Sequence, residues 1–278
     1  MAVIGEVVEG TLGRGLHDDR RCELQPGHDT HEDMRVVTWN AGRVSTAASV
    51  ALADQLSGAR LRDSYAETIS SLTLSVIRMR DNELVLGPLT LLRFGTPTVT
   101  RDAVDWPIEG GLLAGAAGGR WRLQASTGRV EASLTGYRPR LPRPVYALTH
   151  LQVHQLFTRL YLLRLRGGEP APGVPAAAPD RWRAAAVDAA FCLTLTHMTG
   201  RRRLRRTLAI TAAYHVVCWS IWGRTLGGLV LRQRVVAVDG SRLTLAQSLL
   251  RLVVLPLSWI TRTSVHDNIA CTEVISDQ

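Results

Sequence analysis

The sequence contains no lysine, so all 33 of its basic residues are arginine. Residues 110–119 are rich in glycine yet lack the Gly-Lys-Ser/Thr ending whose ammonium would hold phosphate, so the stretch reads as a loop rather than a nucleotide site. Only four cysteines occur, Cys22, Cys192, Cys218 and Cys271. They lie tens of residues apart with no C-x-x-C pair, which excludes a zinc ribbon and a thioredoxin motif and predicts isolated buried thiols. At the N-terminus a basic segment and the apolar run behind it are both missing, with Glu6 and Glu9 in their place, so no cleavable signal peptide is expected. The first domain is therefore expected on the cytoplasmic side, where disulfides would not persist. A nucleophile elbow, a metal signature and a phosphate loop are also lacking, so the expectation is a protein that is not an enzyme and has no cofactor or metal.

What is present is enough to fold. A chain of 278 residues with 46% hydrophobic and 21% charged residues is neither disordered nor collagen-like, and it can hold two domains. Its net charge of +9 is concentrated at one end. Residues 1–180 carry 20 Arg against 19 acids, whereas 181–278 carry 13 Arg against 5. A locally basic segment is drawn to polyanions, either nucleic acid or an anionic membrane surface.

Along the chain, residues 1–33 are polar and lack an apolar period, which reads as a leader. His28, His31 and Asp33 are metal-compatible side chains there, but the stretch offers no fixed geometry. From 34 to 166 the pattern predicts an α+β domain. Residues 47–61 read as a helix, and Leu72, Leu74 and Val76 as one face of a strand. Turns are expected at Asp81-Asn82, Gly118-Gly119 and Thr127-Gly128, the last pairing 120–125 with 129–135. Pro142 and Pro144 then precede a long helix over 145–165. His150 and His154 share a face of that helix, but Leu151 stands where the zinc-protease motif needs glutamate, so a polar helix face is the simpler reading. The order, an antiparallel sheet closed by a long C-terminal helix, resembles START-like helix-grip domains, which implies an apolar cavity for a hydrophobic ligand. An α+β domain with a filled core is the alternative.

Residues 167–180 hold four prolines and three glycines and read as a linker between domains. Beyond it, 184–198 and 207–223 are apolar, separated by Arg201, Arg202, Arg203, Arg205 and Arg206, and 252–261 forms a third apolar stretch. The 17 uncharged residues of 207–223 would span ~25 Å as a helix against a hydrocarbon core of ~30 Å, a marginal crossing.

The residues of this last third resemble a family. Arg181-Trp-Arg-Ala184 through Asp188, then Gly223-Arg-Thr225-Leu-Gly227, Asp239-Gly240, Arg251, and His266-Asp267 through Thr272, are similar to the bacterial RDD family of small membrane proteins. The family is named for one arginine and two aspartates, which the resemblance places at Arg181, Asp188 and Asp267, with Gly223, Thr225, Gly227, Arg251 and Thr272 in support. Gly228 stands where the family commonly has lysine. The resemblance implies a mainly α-helical membrane module, 181–278, often fused to a soluble domain, with transport of ions or small ligands suggested.

On a helix, Asp188 returns to within about 20° of Arg181 but lies about 10 Å along the axis, too far for an ion pair. Asp188 is therefore expected to need another cation, with Arg224, Arg251 or a site near Asp267 as candidates. The arginines of 201–206 are expected to contact lipid headgroups, although arginines on both flanks of 207–223 cannot all satisfy the positive-inside rule. The expected partners are membrane lipids, a small hydrophobic ligand in the N-terminal domain and a second copy of the chain. The alternative is a soluble arginine-rich nucleic-acid-binding protein, which would need aromatic residues or a recognition helix beside the basic run.

Overall fold

The computed structural model describes residues 36–52, 54–198, 204–261 and 263–277. Cys22, His28, His31 and Asp33 of the leader, and Arg201, Arg202 and Arg203 of the basic cluster, lie outside the described residues.

The first part is a ten-stranded antiparallel sheet with helices. A hairpin of β1 (Val36–Asn40) and β2 (Arg43–Ala51) leads into α1 (Gly58–Leu72). There follow β3 (Ile77–Arg80), β4 (Glu83–Leu86), β5 (Leu89–Phe94), β6 (Thr98–Val99), β7 (Ala103–Gly110), β8 (Ala114–Ala116), β9 (Gly119–Ser126) and β10 (Arg129–Pro139). The main strand order is β1-β2-β10-β9-β7-β5-β4-β3, with β6 on β7 and β8 on β10. A short α2 (Arg143–Leu148) and a longer α3 (His150–Arg166) come next.

Period-2 alternation builds the sheet. Trp121, Leu123 and Ala125 of β9 and Val130, Ala132 and Leu134 of β10 are all buried, as strands with one covered face require. Their register runs from Ser126 opposite Arg129 to Arg120 opposite Thr135, closed at Gly128 with φ 72°, as the turn residues predict. Asp81 and Asn82, at φ 49° and 62°, make the two-residue turn between β3 and β4. The core under α1 and α3 holds Leu61, Trp106, Trp121 and Tyr161, with the Tyr65 ring 5.3 Å from both Trp106 and Tyr161.

Two expectations are corrected. Residues 47–51 continue β2, and the helix begins at Gly58, behind Ser57, whose hydroxyl accepts the Arg60 N–H. The alanines of 47–51 favour a helix locally, but pairing with β10 from Val44 to Ala51 overrides that preference. Leu72 ends α1, while Leu74 and Val76 are exposed turn residues; Ile77 is the first residue of the next strand.

The second part comprises β11 (Val174–Pro175), α4 (Ala178–Met198), α5 (Leu204–Val217), a π-helical turn (Cys218–Trp222), α6 (Leu226–Val230), β12 (Gln233–Ala237), α7 (Leu245–Thr261), α8 (Val265–Ala270) and β13 (Thr272–Ser276). It is mainly helical, but it also contains a three-stranded sheet in the order β11-β13-β12. Within the proline-rich stretch, β11 pairs with β13 and α4 starts with Pro179 in its first turn, where a missing N–H is harmless. Among the described residues no helix is long and apolar enough to cross a membrane. Of the three longest helices here, α4 carries Asp180, Arg181, Arg183 and Asp188, α5 has 14 residues, and α7 contains Arg251 and Pro256.

α3 joins the two parts. Leu160 and Leu163 pack with Ala237 and Cys271 in one buried cluster. Beside them Arg159, buried, donates from Nε to Gln247 Oε1 at 2.9 Å and from Nη2 to the Ser241 hydroxyl, with Asp239 Oδ2 3.5 Å away.

Candidate functional site

The signature residues gather into two polar centres inside the C-terminal part. The first is built on α4, whose buried residues Ala184, Asp188, Cys192 and Thr196 recur every four positions and so form one helical face. That face meets the loop 223–228. Gly223, at φ 69°, ends the π-helical turn in a left-handed conformation, and Thr225 in extended geometry caps the short α6. Gly227 is then pressed onto α4, since a Cβ at this position would lie 2.0 Å from the Ala184 carbonyl oxygen. Only glycine permits that approach.

The close contact delivers donors to Asp188. Its Oδ1 accepts the Tyr214 hydroxyl at 2.7 Å and the Gly227 N–H at 2.8 Å, and its Oδ2 accepts the Thr225 hydroxyl at 2.7 Å. Thr225 Oγ1 accepts the Gly228 N–H at 3.1 Å, and Tyr214 Oη accepts the Leu226 N–H at 2.7 Å. The expected cation partner is thus replaced by neutral donors, because the loop brings backbone and hydroxyl groups to the carboxylate before any guanidinium reaches it. Charge-assisted hydrogen bonds to an ionised acceptor are roughly twice as strong as neutral ones and can hold a buried carboxylate.

The second centre is Asp267 on α8. Its Oδ2 accepts from Arg181 Nη2, its Oδ1 accepts from Arg251 Nη2 and the Thr272 hydroxyl, both at 2.9 Å, and His266 Nε2 lies 3.5 Å from Oδ2. Burial alone would raise the Asp267 carboxyl, but Arg251, His266, Arg181 and the Thr272 hydroxyl hold it below its ordinary value. Burial pushes His266 down to about 4, and its ring and N–H both meet the Ser258 hydroxyl, at 2.7 and 2.9 Å. Arg251 is only 4% exposed, and its guanidinium stacks 4.6 Å over Trp219. Its Nε and Nη1 are buried without a hydrogen-bond partner. A buried donor left unpaired costs about 1–3 kcal/mol.

A cavity of about 630 Å³ separates the two centres, lined by Arg181 and Asp188 from α4, Trp219, Arg224 and Thr225, Arg234 from β12, and Arg251 from α7. Asp277 pairs with both Arg224 and Arg234 at 3.0 Å. All eight signature and supporting positions therefore line the cavity, belong to one of the two centres, or, like Gly223, shape the loop between them. Arg205 and Arg206 stand apart, exposed at the start of α5. Sequence reasoning missed Tyr214, Trp219, Ser258 and Asp277. Tyr214 offered one signal, a hydroxyl inside an apolar stretch.

A second cavity, of about 180 Å³, lies in the N-terminal part between the sheet, α1 and α3, walled by Tyr65, Ile69, Leu92, Phe94, Trp121 and Phe157 among others. His150 and His154 face into it, which corrects the reading of a polar helix face. His154 Nε2 lies 3.2 Å from the Thr46 hydroxyl, its ring stands edge-on to Trp121, and burial lowers it to about 4. Trp121 Nε1 and His150 Nδ1 are buried there without partners. Among the described residues no group of three metal-ligating side chains occurs.

Residues 206–272 match the sequence model of the RDD family, a span that begins after Arg181 and Asp188 and includes Thr225, Gly227, Arg251, Asp267 and Thr272. No curated protein and no solved structure matches the chain. The match falls on the loop 223–228, on Arg251 of α7 and on Asp267 and Thr272, so this stretch of the C-terminal part is similar to the RDD family, while α4 with Arg181 and Asp188 lies outside the matched span.

Proposed function

We propose that the chain is a membrane-associated protein whose RDD module seats in the lipid interface and whose N-terminal domain, on the cytoplasmic side, encloses a small apolar ligand. One observation carries the membrane part. On α7 the buried residues are Gln247, Ser248, Arg251 and Ser258, whereas Leu245, Leu249, Val253, Leu257 and Ile260 are exposed. The exposed set recurs at three to four residues and so forms one stripe. A helix surrounded by water shows the reverse arrangement, because exposed apolar stripes are removed by burial against a core or a lipid phase. Trp182, Trp222 and Trp259, also exposed, are of the type enriched at lipid headgroup level. Flotation of the purified full chain with phosphatidylcholine vesicles in high salt tests the reading. Co-flotation is expected, and a chain that stays at the bottom of the gradient with every vesicle composition overturns it.

For the ligand, the cavity size sets the class. A cavity of about 150 Å³ lined by aliphatic and aromatic groups accepts benzene, so one of about 180 Å³ suits a single ring rather than a long acyl chain. The unpartnered Trp121 N–H favours a ring bearing one acceptor atom. A rise in melting temperature on adding benzene-sized acceptors such as phenol or pyridine supports this. No rise across the series sinks it.

A further inference from the structure

The RDD cavity holds more donor groups than its own carboxylates use. Of the four arginines that line it, Arg181 and Arg251 share Asp267, and Arg224 and Arg234 share Asp277. The balance stays positive after Asp188 is counted, and Asp188 is already engaged by three neutral donors. Arg251 is the exceptional member, more than nine-tenths buried, lining the cavity, with Nε–H and Nη1–H unpaired. Native proteins rarely leave such donors orphaned, so an unpaired pair beside a cavity of about 630 Å³ marks a place for an acceptor.

From these features we infer that the cavity binds a phosphoryl oxyanion, held by Arg251 from within and by Arg181 beside it. With Nη2 committed to Asp267, the two free donors of Arg251 sit on different edges of the guanidinium plane. Those edges diverge, so a single ligand engages one of them, and a tetrahedral phosphoryl group can turn its remaining oxygens toward Arg181, which lines the same cavity. Trp182 and Trp259 line the same cavity and are 67% and 64% exposed, so they mark where it meets the surface and where an anion enters. The phosphoryl group has two sources, free phosphate or the headgroup of an anionic phospholipid. The inference does not depend on membrane attachment, because free phosphate can be titrated in detergent.

The test is calorimetric titration of the full chain in a neutral detergent with inorganic phosphate, followed by melting curves in phosphatidylcholine vesicles with and without phosphatidylglycerol. Saturable phosphate binding that weakens at least tenfold in Arg251→Lys supports the site with free phosphate as ligand. No phosphate heat, but a melting temperature raised by phosphatidylglycerol in the wild type and not in Arg251→Lys, supports it with the headgroup as ligand. A wild type silent to both, or an Arg251→Lys protein that responds as the wild type does, overturns the proposal. Circular dichroism establishes that the variant is folded. If it is not, Arg181→Gln is titrated in its place, and wild-type affinity in that variant overturns the proposal equally.

Discussion

Arg251 and Val253 stand two residues apart on α7 and face opposite ways, the guanidinium sealed inside the module and the Val253 side chain 74% exposed. The helix thus keeps its polar groups in and its apolar groups out. Replacing Leu249 and Val253 together by glutamate should leave the melting temperature in detergent nearly unchanged, since exposed substitutions away from special features shift stability by about 0.5 kcal/mol or less. The same variant should lose most of its co-flotation with vesicles. Flotation equal to the wild type would show that this stripe does not meet lipid.

Gly227 makes a sharper structural prediction. Gly227→Ala places a methyl group against the Ala184 carbonyl and forces α6 away from α4. Overpacking of this kind costs about 1–3 kcal/mol. The displaced loop also withdraws the Thr225 hydroxyl and the Gly227 N–H from Asp188. Chemical denaturation should therefore show Gly227→Ala destabilised by more than Gly168→Ala, whose added methyl meets open space. Equal midpoints would mean the contact between α4 and α6 is not required.

The two arginines on Asp267 should not be equivalent. Arg251→Gln removes a guanidinium 4% exposed, and breaking a buried pair costs about 3–5 kcal/mol. Arg181, 30% exposed at its side chain, is the better solvated of the two cations and leaves Arg251 on the carboxylate, so its loss should cost less. Thermal melts of the two variants should rank in that order, and a reversed order would place the anchor of Asp267 on Arg181 instead.

Acid should weaken the fold before its carboxylates titrate. His154 and His266 are both lowered by burial to about 4, against about 6.5 in an unfolded chain. Between those values the unfolded state binds more protons, so stability is full above about pH 6.5 and falls as the pH drops toward 4. Urea midpoints measured across this window should decline, and His154→Gln should flatten the decline. A midpoint independent of pH there would contradict the buried neutral histidines.

How far the sequence exposed these features depends on how local they are. The hairpin of β9 and β10 was legible because alternation and the Thr127-Gly128 turn lie within 20 residues of each other. Strand β2 was not, because its alanines favour helix while its partner β10 is about 80 residues away. Thr225 and Gly227 were legible as part of the family motif, but the packing of Gly227 onto the Ala184 carbonyl was not, because α4 lies about 40 residues upstream. The partners of Asp188 were not, because Tyr214 and Gly227 come from segments 26 and 39 residues downstream and contribute neutral donors where a charge-balance argument looks for a cation. On α7 the apolar run 252–261 was visible. The inverted face was not, since polar residues at 247, 248 and 251 look like a solvent face until packing shows that they point inward.

Membrane seating through the apolar stripe of α7 is most directly tested by fractionation of cells that produce the full chain. Salt at about 1 M reduces the Debye length to about 3 Å and removes attachments made by arginine charge alone. The protein is expected to remain in the membrane pellet through high salt and through carbonate, and to come off in detergent. Release by high salt alone would contradict the account.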